Sequence, residues 1–115
     1  MKNILYYSKE NGKIPVRDFL IDLEKKNTSL TLKIRSKIQL LSLGLLWEND
    51  VKFIQDKIYE LRVRDGNNIS RVFYFTYTGE NIVLLDAIIK KDQKLKQADI
   101  HRALEYKNDF LKRFW

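Results

Sequence analysis

From Val51 to Ile89 the chain is built of strand-length apolar runs separated by short polar turns. Val51 to Ile54, Lys57 to Arg64, Ile69 to Tyr77 and Asn81 to Ile89 are rich in β-branched, aromatic and aliphatic residues. Asp65-Gly66-Asn67-Asn68 and Thr78-Gly79-Glu80-Asn81 separate the last three runs and have hairpin-turn chemistry. This block predicts an antiparallel meander of three strands, extended by the short strand before it. Everything else in the chain has to pack on that sheet.

The flanks supply the packing elements. Ile4 to Tyr7 reads as a short first strand, and Asn11-Gly12-Lys13 as a turn. Pro15 falls where a first helical turn tolerates it, and Val16, Phe19, Leu20 and Leu23 follow at helical spacing. Lys25 to Ser29 breaks the pattern and offers Thr28 or Ser29 as the next N-cap. Leu30, Ile34, Ile38, Leu41 and Leu45 mark a longer helix, with Gly44 as its stop. So short a connection predicts an antiparallel helical hairpin. From Gln97 the helical period returns, with Ile100, Leu104 and Leu111 on one stripe and Ala103, Phe110 and Phe114 beside it. The order β-α-α-β-β-β-β-α predicts an α+β domain with its helices on one sheet face. Trp47 and Trp115 read as packing anchors. Phe110 to Trp115 forms an apolar-basic tail whose apolar stripe is expected to dock on the domain.

Composition bounds the function classes. A chain of 115 residues, 44% hydrophobic and with one proline and four glycines, suits a single ordered domain, here expected over residues 1–115. No stretch approaches the roughly 18 uninterrupted apolar residues of a membrane helix. The start turns polar too soon for a secretory signal. The absence of cysteine excludes disulfides and thiolate chemistry and fits a reducing, cytoplasmic setting. One histidine and scattered acids give no metal-ligand spacing, so no metal or cofactor is expected. A net charge of +7 favours polyanionic partners, RNA or DNA before anionic membranes or an acidic protein.

The charge is concentrated informatively. Alternation puts Glu60, Arg62 and Arg64 on one face of a strand and Tyr59, Leu61 and Val63 on the other, while Arg71 stands in the next strand. Arginines on a rigid hairpin are costly to bury and suit a phosphodiester, because the planar fork bonds phosphate oxygens bidentately. Tyr59, Tyr74 and Tyr106 have the right chemistry to stack a base, although their spacing also suits core or rim positions.

The strings Gly12 to Leu20, Ile58 to Arg64, Ser70 to Phe75, and Ile82 to Leu85 followed by Lys90 to Lys94 stand in an order and spacing that resemble the HigB-like, phage-derived branch of the RelE/ParE toxin superfamily. The likeness covers nearly the whole chain. It implies a RelE-like fold: an N-terminal strand and helical hairpin packed on a mainly antiparallel sheet, with a basic C-terminal helix. It also implies a ribosome-dependent mRNA endonuclease, acting in the ribosomal A site and restrained by a helix-turn-helix antitoxin. Related toxins work without a metal, through attack of a 2′-hydroxyl on the adjacent phosphorus.

That resemblance, with the chemistry, suggests roles. Arg71 is the phosphate clamp and transition-state stabiliser, and Arg62 a phosphate binder. Glu60 is either the general base or the structural partner of Arg62 or Arg71. Arg64, near the turn, is a general electrostatic contact. Lys90 and Lys91 fall where relatives carry basic residues by the cleavage site, to neutralise the leaving oxygen or hold the next phosphate, and Lys94 extends this run. Many relatives have histidine after the apolar strand, where this chain has Asp86-Ala87-Ile88. Asp86 is then a base, or an acid if its pKa is raised, unless other groups move the protons or the nuclease is weak. His101, the only histidine, has the features of a solvated helix residue. Two other classes share the charge or fold: a non-catalytic RNA- or ribosome-binding module, and a ParE-like inhibitor of DNA gyrase.

Overall fold

The computed structural model describes residues 1–90 and 95–114. In chain order the elements are β1 (Asn3–Tyr6), α1 (Pro15–Lys26), α2 (Thr28–Leu43), a 3₁₀ turn (Glu48–Asp50), β2 (Val51–Gln55), β3 (Ile58–Asp65), β4 (Asn68–Tyr77), β5 (Asn81–Lys90) and α3 (Gln97–Phe114). The strands form one mixed sheet in the order β1-β5-β4-β3-β2. The meander β2 to β5 is antiparallel throughout, whereas β1 crosses to the far edge and pairs parallel with β5, Leu5 opposite Val83. The arrangement is an α+β architecture consistent with a RelE-like fold.

Local chemistry sets the element ends. Pro15 opens α1, and Asp18 turns back to accept a hydrogen bond from the Ile14 amide at 3.3 Å. Asn27, rather than Thr28 or Ser29, caps α2: its side-chain oxygen accepts from the Leu30 amide at 3.1 Å. Gly44 stops α2 with φ +72°, the left-handed conformation that glycine adopts at least cost. Asp56 and Lys57, both at positive φ (50° and 63°), make the two-residue turn between β2 and β3.

The helices lie on both faces of the sheet, which corrects the expectation of one. On one face α1 and α2 bury Val16, Leu20, Leu30 and Ile34 against Leu61, Val63, Val72, Tyr74 and Leu84. On the other, α3 sets Ala103 and Phe110 against Ile58, Phe73, Phe75, Val83 and Leu85. The central strands β4 and β5 are therefore apolar on both sides, and this is why Phe73-Tyr74-Phe75 and Ile82 to Leu85 read as unbroken runs. Trp47 is not an anchor: it is 78% exposed in the connection after α2, and Trp115 lies outside the described residues. No helix among the described residues is long and apolar enough to cross a membrane.

One irregularity has a large effect on the site. Phe73 stands opposite Asp86 and Tyr74 opposite Leu84, so Leu85 is an extra residue on β5. Strict alternation from Val83 and Leu85, both under α3, would send Asp86 to the α1/α2 side. The bulge reverses the alternation and brings Asp86 to the α3 side, in line with Phe73.

Lys57 holds a left-handed conformation without being glycine. Lys57→Gly should therefore stabilise the chain by about 1 kcal/mol in urea denaturation. A loss of stability would show that the lysine makes contacts worth more than its backbone strain.

Candidate active site on the α3 face

The register of β3, β4 and β5 lays the predicted residues out as a grid. Arg62 is directly opposite Arg71, and Arg71 opposite Ile88. On one side of that row are Glu60, Phe73 and Asp86; on the other, towards the hairpin tip, are Arg64, Ile69 and Lys90. Five ionic side chains thus join Arg71 on one face of three adjacent strands. Of these six, the hairpin β3–β4 supplies four, Glu60, Arg62, Arg64 and Arg71, which is why it was conspicuous in the sequence.

Glu60 organises the arginines. It is fully buried, and its Oε2 accepts a hydrogen bond from Arg71 Nη1 at 3.0 Å. Its Oε1 lies 3.5 Å from Arg62 Nε, an ion pair too long and misdirected to count as a hydrogen bond. Arg71 is 3% exposed and Arg62 retains 30% of its side-chain exposure, so Arg62 is the arginine of this pair that reaches solvent. A carboxylate with no access to water is tolerable only because cations face it.

A second network fastens α3 above the grid. Arg102 donates from Nε to Asp86 at 2.6 Å and pairs through Nη2 with Asp99 at 3.3 Å. Asp99 also pairs with Lys90. Burial pushes the Asp86 carboxyl above the ordinary carboxylate range, and the Arg102 hydrogen bond and charge offset this only in part. Burial acts on Asp99 in the same direction, but the Lys90 hydrogen bond and charge, with Arg102, outweigh it and hold Asp99 below that range.

Arg102 and Asp99 were not singled out from the sequence. Their signal was available: they are three residues apart and flank the buried Ile100 and Ala103, so they border the face of α3 that meets the sheet. His101 is exposed. Tyr74 is buried, stacked on the half-buried Tyr59 at 5.6 Å on the opposite sheet face, while Tyr106 stacks on Tyr7 at 4.9 Å. Lys91 and Lys94 lie outside the described residues. Among the described residues, no group of three or more histidine, cysteine, aspartate or glutamate side chains gathers in a form that could hold a metal ion.

Residues 18–108 match the family described as Phage derived protein Gp49-like (DUF891). The chain belongs to that family, which is part of the RelE/HigB-like toxins of toxin-antitoxin systems. No curated protein matches the chain.

Two predictions come from this geometry. Glu60→Ala should cost about 3–5 kcal/mol in chemical denaturation, because it leaves Arg71 buried without its carboxylate; a cost below ~1 kcal/mol would mean that the arginines do not depend on it. In carboxyl NMR titrations Asp86 should titrate above, and Asp99 below, the ordinary value of 3.8. The signs for stability are then opposite. Asp99 contributes stability above its unfolded pKa that is lost as pH falls through its lowered folded value. Asp86 favours the fold in its protonated form, so its contribution is present below the ordinary value and is lost as pH rises through its raised one. Equal midpoints would contradict the described network.

Proposed function

We propose that this chain is the toxin of a toxin-antitoxin system and acts as a ribosome-dependent mRNA endonuclease, by metal-independent attack of a ribose 2′-hydroxyl on the neighbouring phosphorus. The observation that carries the reading is the direct cross-strand pairing of Arg62 with Arg71, both held by the buried Glu60. Membership of the toxin family supports it. So does the net charge of +7, which suits an RNA polyanion.

In this mechanism Arg62 meets the phosphate first, because it has the solvent exposure. Arg71 stands behind it and adds its charge to the developing phosphorane. Arg64, one step along the grid, takes a flanking phosphate, as does Lys90 once it leaves Asp99; Lys91 and Lys94, which follow in the sequence, are proposed to add charge for the RNA. Glu60 serves as the orienting carboxylate rather than the general base, since a 2′-hydroxyl has no path to a group that is 0% exposed. The proton of the attacking 2′-hydroxyl passes to solvent water as the O2′–P bond forms. Asp86, which solvent reprotonates afterwards, gives a proton to the leaving 5′-oxygen as the P–O5′ bond breaks: burial raises its pKa, and a carboxyl shifted upward is a better acid near neutral pH. Its release from Arg102 is part of that step. The restraining partner is a helix-turn-helix antitoxin, and the site of action is the cytoplasm.

The near-complete burial of Glu60 and Arg71 favours a second reading, a non-catalytic binder of RNA or the ribosome that uses only the exposed cations. Substitution separates the two. Arg71→Ala is a poor probe, because it unpairs a buried carboxylate and is expected to destabilise the fold. Arg62→Lys keeps the charge and loses the fork. Induced expression of the wild type should arrest growth and translation, and Arg62→Lys should relieve the arrest by about 10²-fold in viable counts, with the fold intact by circular dichroism. Undiminished toxicity in a folded Arg62→Lys variant would remove Arg62 from the mechanism. Accumulated relaxed DNA in place of translation arrest would point to gyrase.

A further inference from the structure

The edge strand β2 adds one more cation to the grid. Lys52 stands directly opposite Glu60. Its neighbours belong to the α1/α2 side: Val51 packs on that core, and Phe53 lies edge-on to Tyr59 at 5.4 Å. Alternation therefore sets Lys52 on the α3 side, in the row Lys52, Glu60, Phe73, Asp86.

Lys52 is exposed, although the acid opposite it is fully buried. Glu60 has no oxygen left for it, because Oε2 accepts from Arg71 and Oε1 faces Arg62. The acids at the two ends of this edge turn to α2 instead. Asp50 pairs with Lys37 at 2.9 Å, and Asp65 with Lys33 at 2.8 Å. Among the described residues no acid pairs with Lys52, nor with the exposed Arg64.

The register spaces these cations evenly. Lys52 and Arg62 are diagonal neighbours across the strand pair, about 7–8 Å apart at the backbone. Arg62 and Arg64 are two residues apart on one strand, about 7 Å. The three form a line along the β2–β3 side of the sheet, with Arg62 in the middle. Evenly spaced cations on one line match the repeating charge of a single nucleic-acid strand. An ammonium is a point charge on a flexible stem, so it meets a phosphate without the fixed fork that an arginine needs.

We infer that Lys52 is a substrate-binding residue whose ammonium takes the phosphate next to the one on Arg62, on the side away from Arg64, so that the three side chains carry consecutive phosphates of one RNA strand. The inference rests on the reading that Arg62 meets the scissile phosphate.

The test uses the full chain and a short single-stranded RNA, 2′-O-methylated throughout so that it cannot be cut. Binding is read by fluorescence anisotropy across a series of salt concentrations. Lys52→Gln should weaken binding about fivefold at low salt and lower the slope of log affinity against log salt by about 0.7, the share of one phosphate contact on a single strand. Lys52→Arg should restore both. Lys13→Gln removes the same charge from an exposed loop after β1, at the opposite sheet edge, and should leave the slope unchanged. In a second arm one neutral methylphosphonate is walked along the RNA. At one position it should weaken binding to the wild type and cost Lys52→Gln nothing further.

An unchanged slope in Lys52→Gln, with binding still weakened by Arg62→Gln, would overturn the inference and leave the reading of Arg62 standing. That is the result if Lys52 only keeps foreign strands off the sheet edge. Absence of any methylphosphonate position coupled to Lys52 would overturn it as well. Lack of salt-dependent binding, or indifference to Arg62→Gln, would overturn the reading and the inference together.

Discussion

A fully buried glutamate facing two arginines is the constraint around which this protein is arranged. Glu60 has no solvent to fall back on, so the structure has to keep Arg71 within 3.0 Å and Arg62 within 3.5 Å of it. The hairpin turn at Gly66 meets part of that requirement by fixing the register that puts Arg62 opposite Arg71. The two apolar layers, α1/α2 on one face and α3 on the other, exclude the water that would otherwise screen the charges. Under the proposed function, a phosphate arriving at Arg62 would meet a cation whose position is set from behind, a condition for preorganised electrostatic stabilisation.

The bulge at Leu85 connects the fold to the proton step of the proposed function. A single extra residue re-aims Asp86 to the α3 face, where Arg102 of α3 reaches it. The two aspartates held by Arg102 are driven apart in acidity: Asp86, dominated by burial, upward, and Asp99, dominated by Lys90 and Arg102, downward. Pairs of like groups with divergent environments are a recurrent basis for dividing acid and electrostatic roles. Under the proposed function, that upward shift is the property Asp86 needs to act as a proton donor.

The strands, their turns and the helix starts were legible because each has a local cause. Alternation around Tyr59 to Arg64, Gly66 at a two-residue turn, Pro15 at a helix start and Gly44 at a helix end act within a few residues. What was not legible depends on distant parts of the chain. The parallel docking of β1 and the placement of α3 on the opposite face are choices of topology that no local period encodes. The expectation of helices on one face failed because the sheet has a second apolar face, carrying Ile58, Phe73 and Phe75, on which α3 packs. Trp47 was misread for a related reason: an aromatic ring is an anchor only if something packs on it, and here it is exposed. Within the site, Glu60, Arg62 and Arg71 were visible as a charged strand face. Their burial was not, nor was the arrival of Arg102, since both follow from how α3 lands on the sheet.

The central claim is that the Glu60-anchored arginines engage an RNA phosphate at which the neighbouring 2′-hydroxyl attacks. It is tested most directly by incubating the purified chain with translating ribosomes and a defined mRNA, without added metal beyond what the ribosomes require, and characterising both ends at each cut. The account predicts breaks in the mRNA that depend on the ribosome, bearing a 5′-hydroxyl on one side and a 2′,3′-cyclic phosphate or 3′-phosphate on the other. Intact mRNA on chain-bound ribosomes, or 5′-phosphate ends at the cuts, would contradict it.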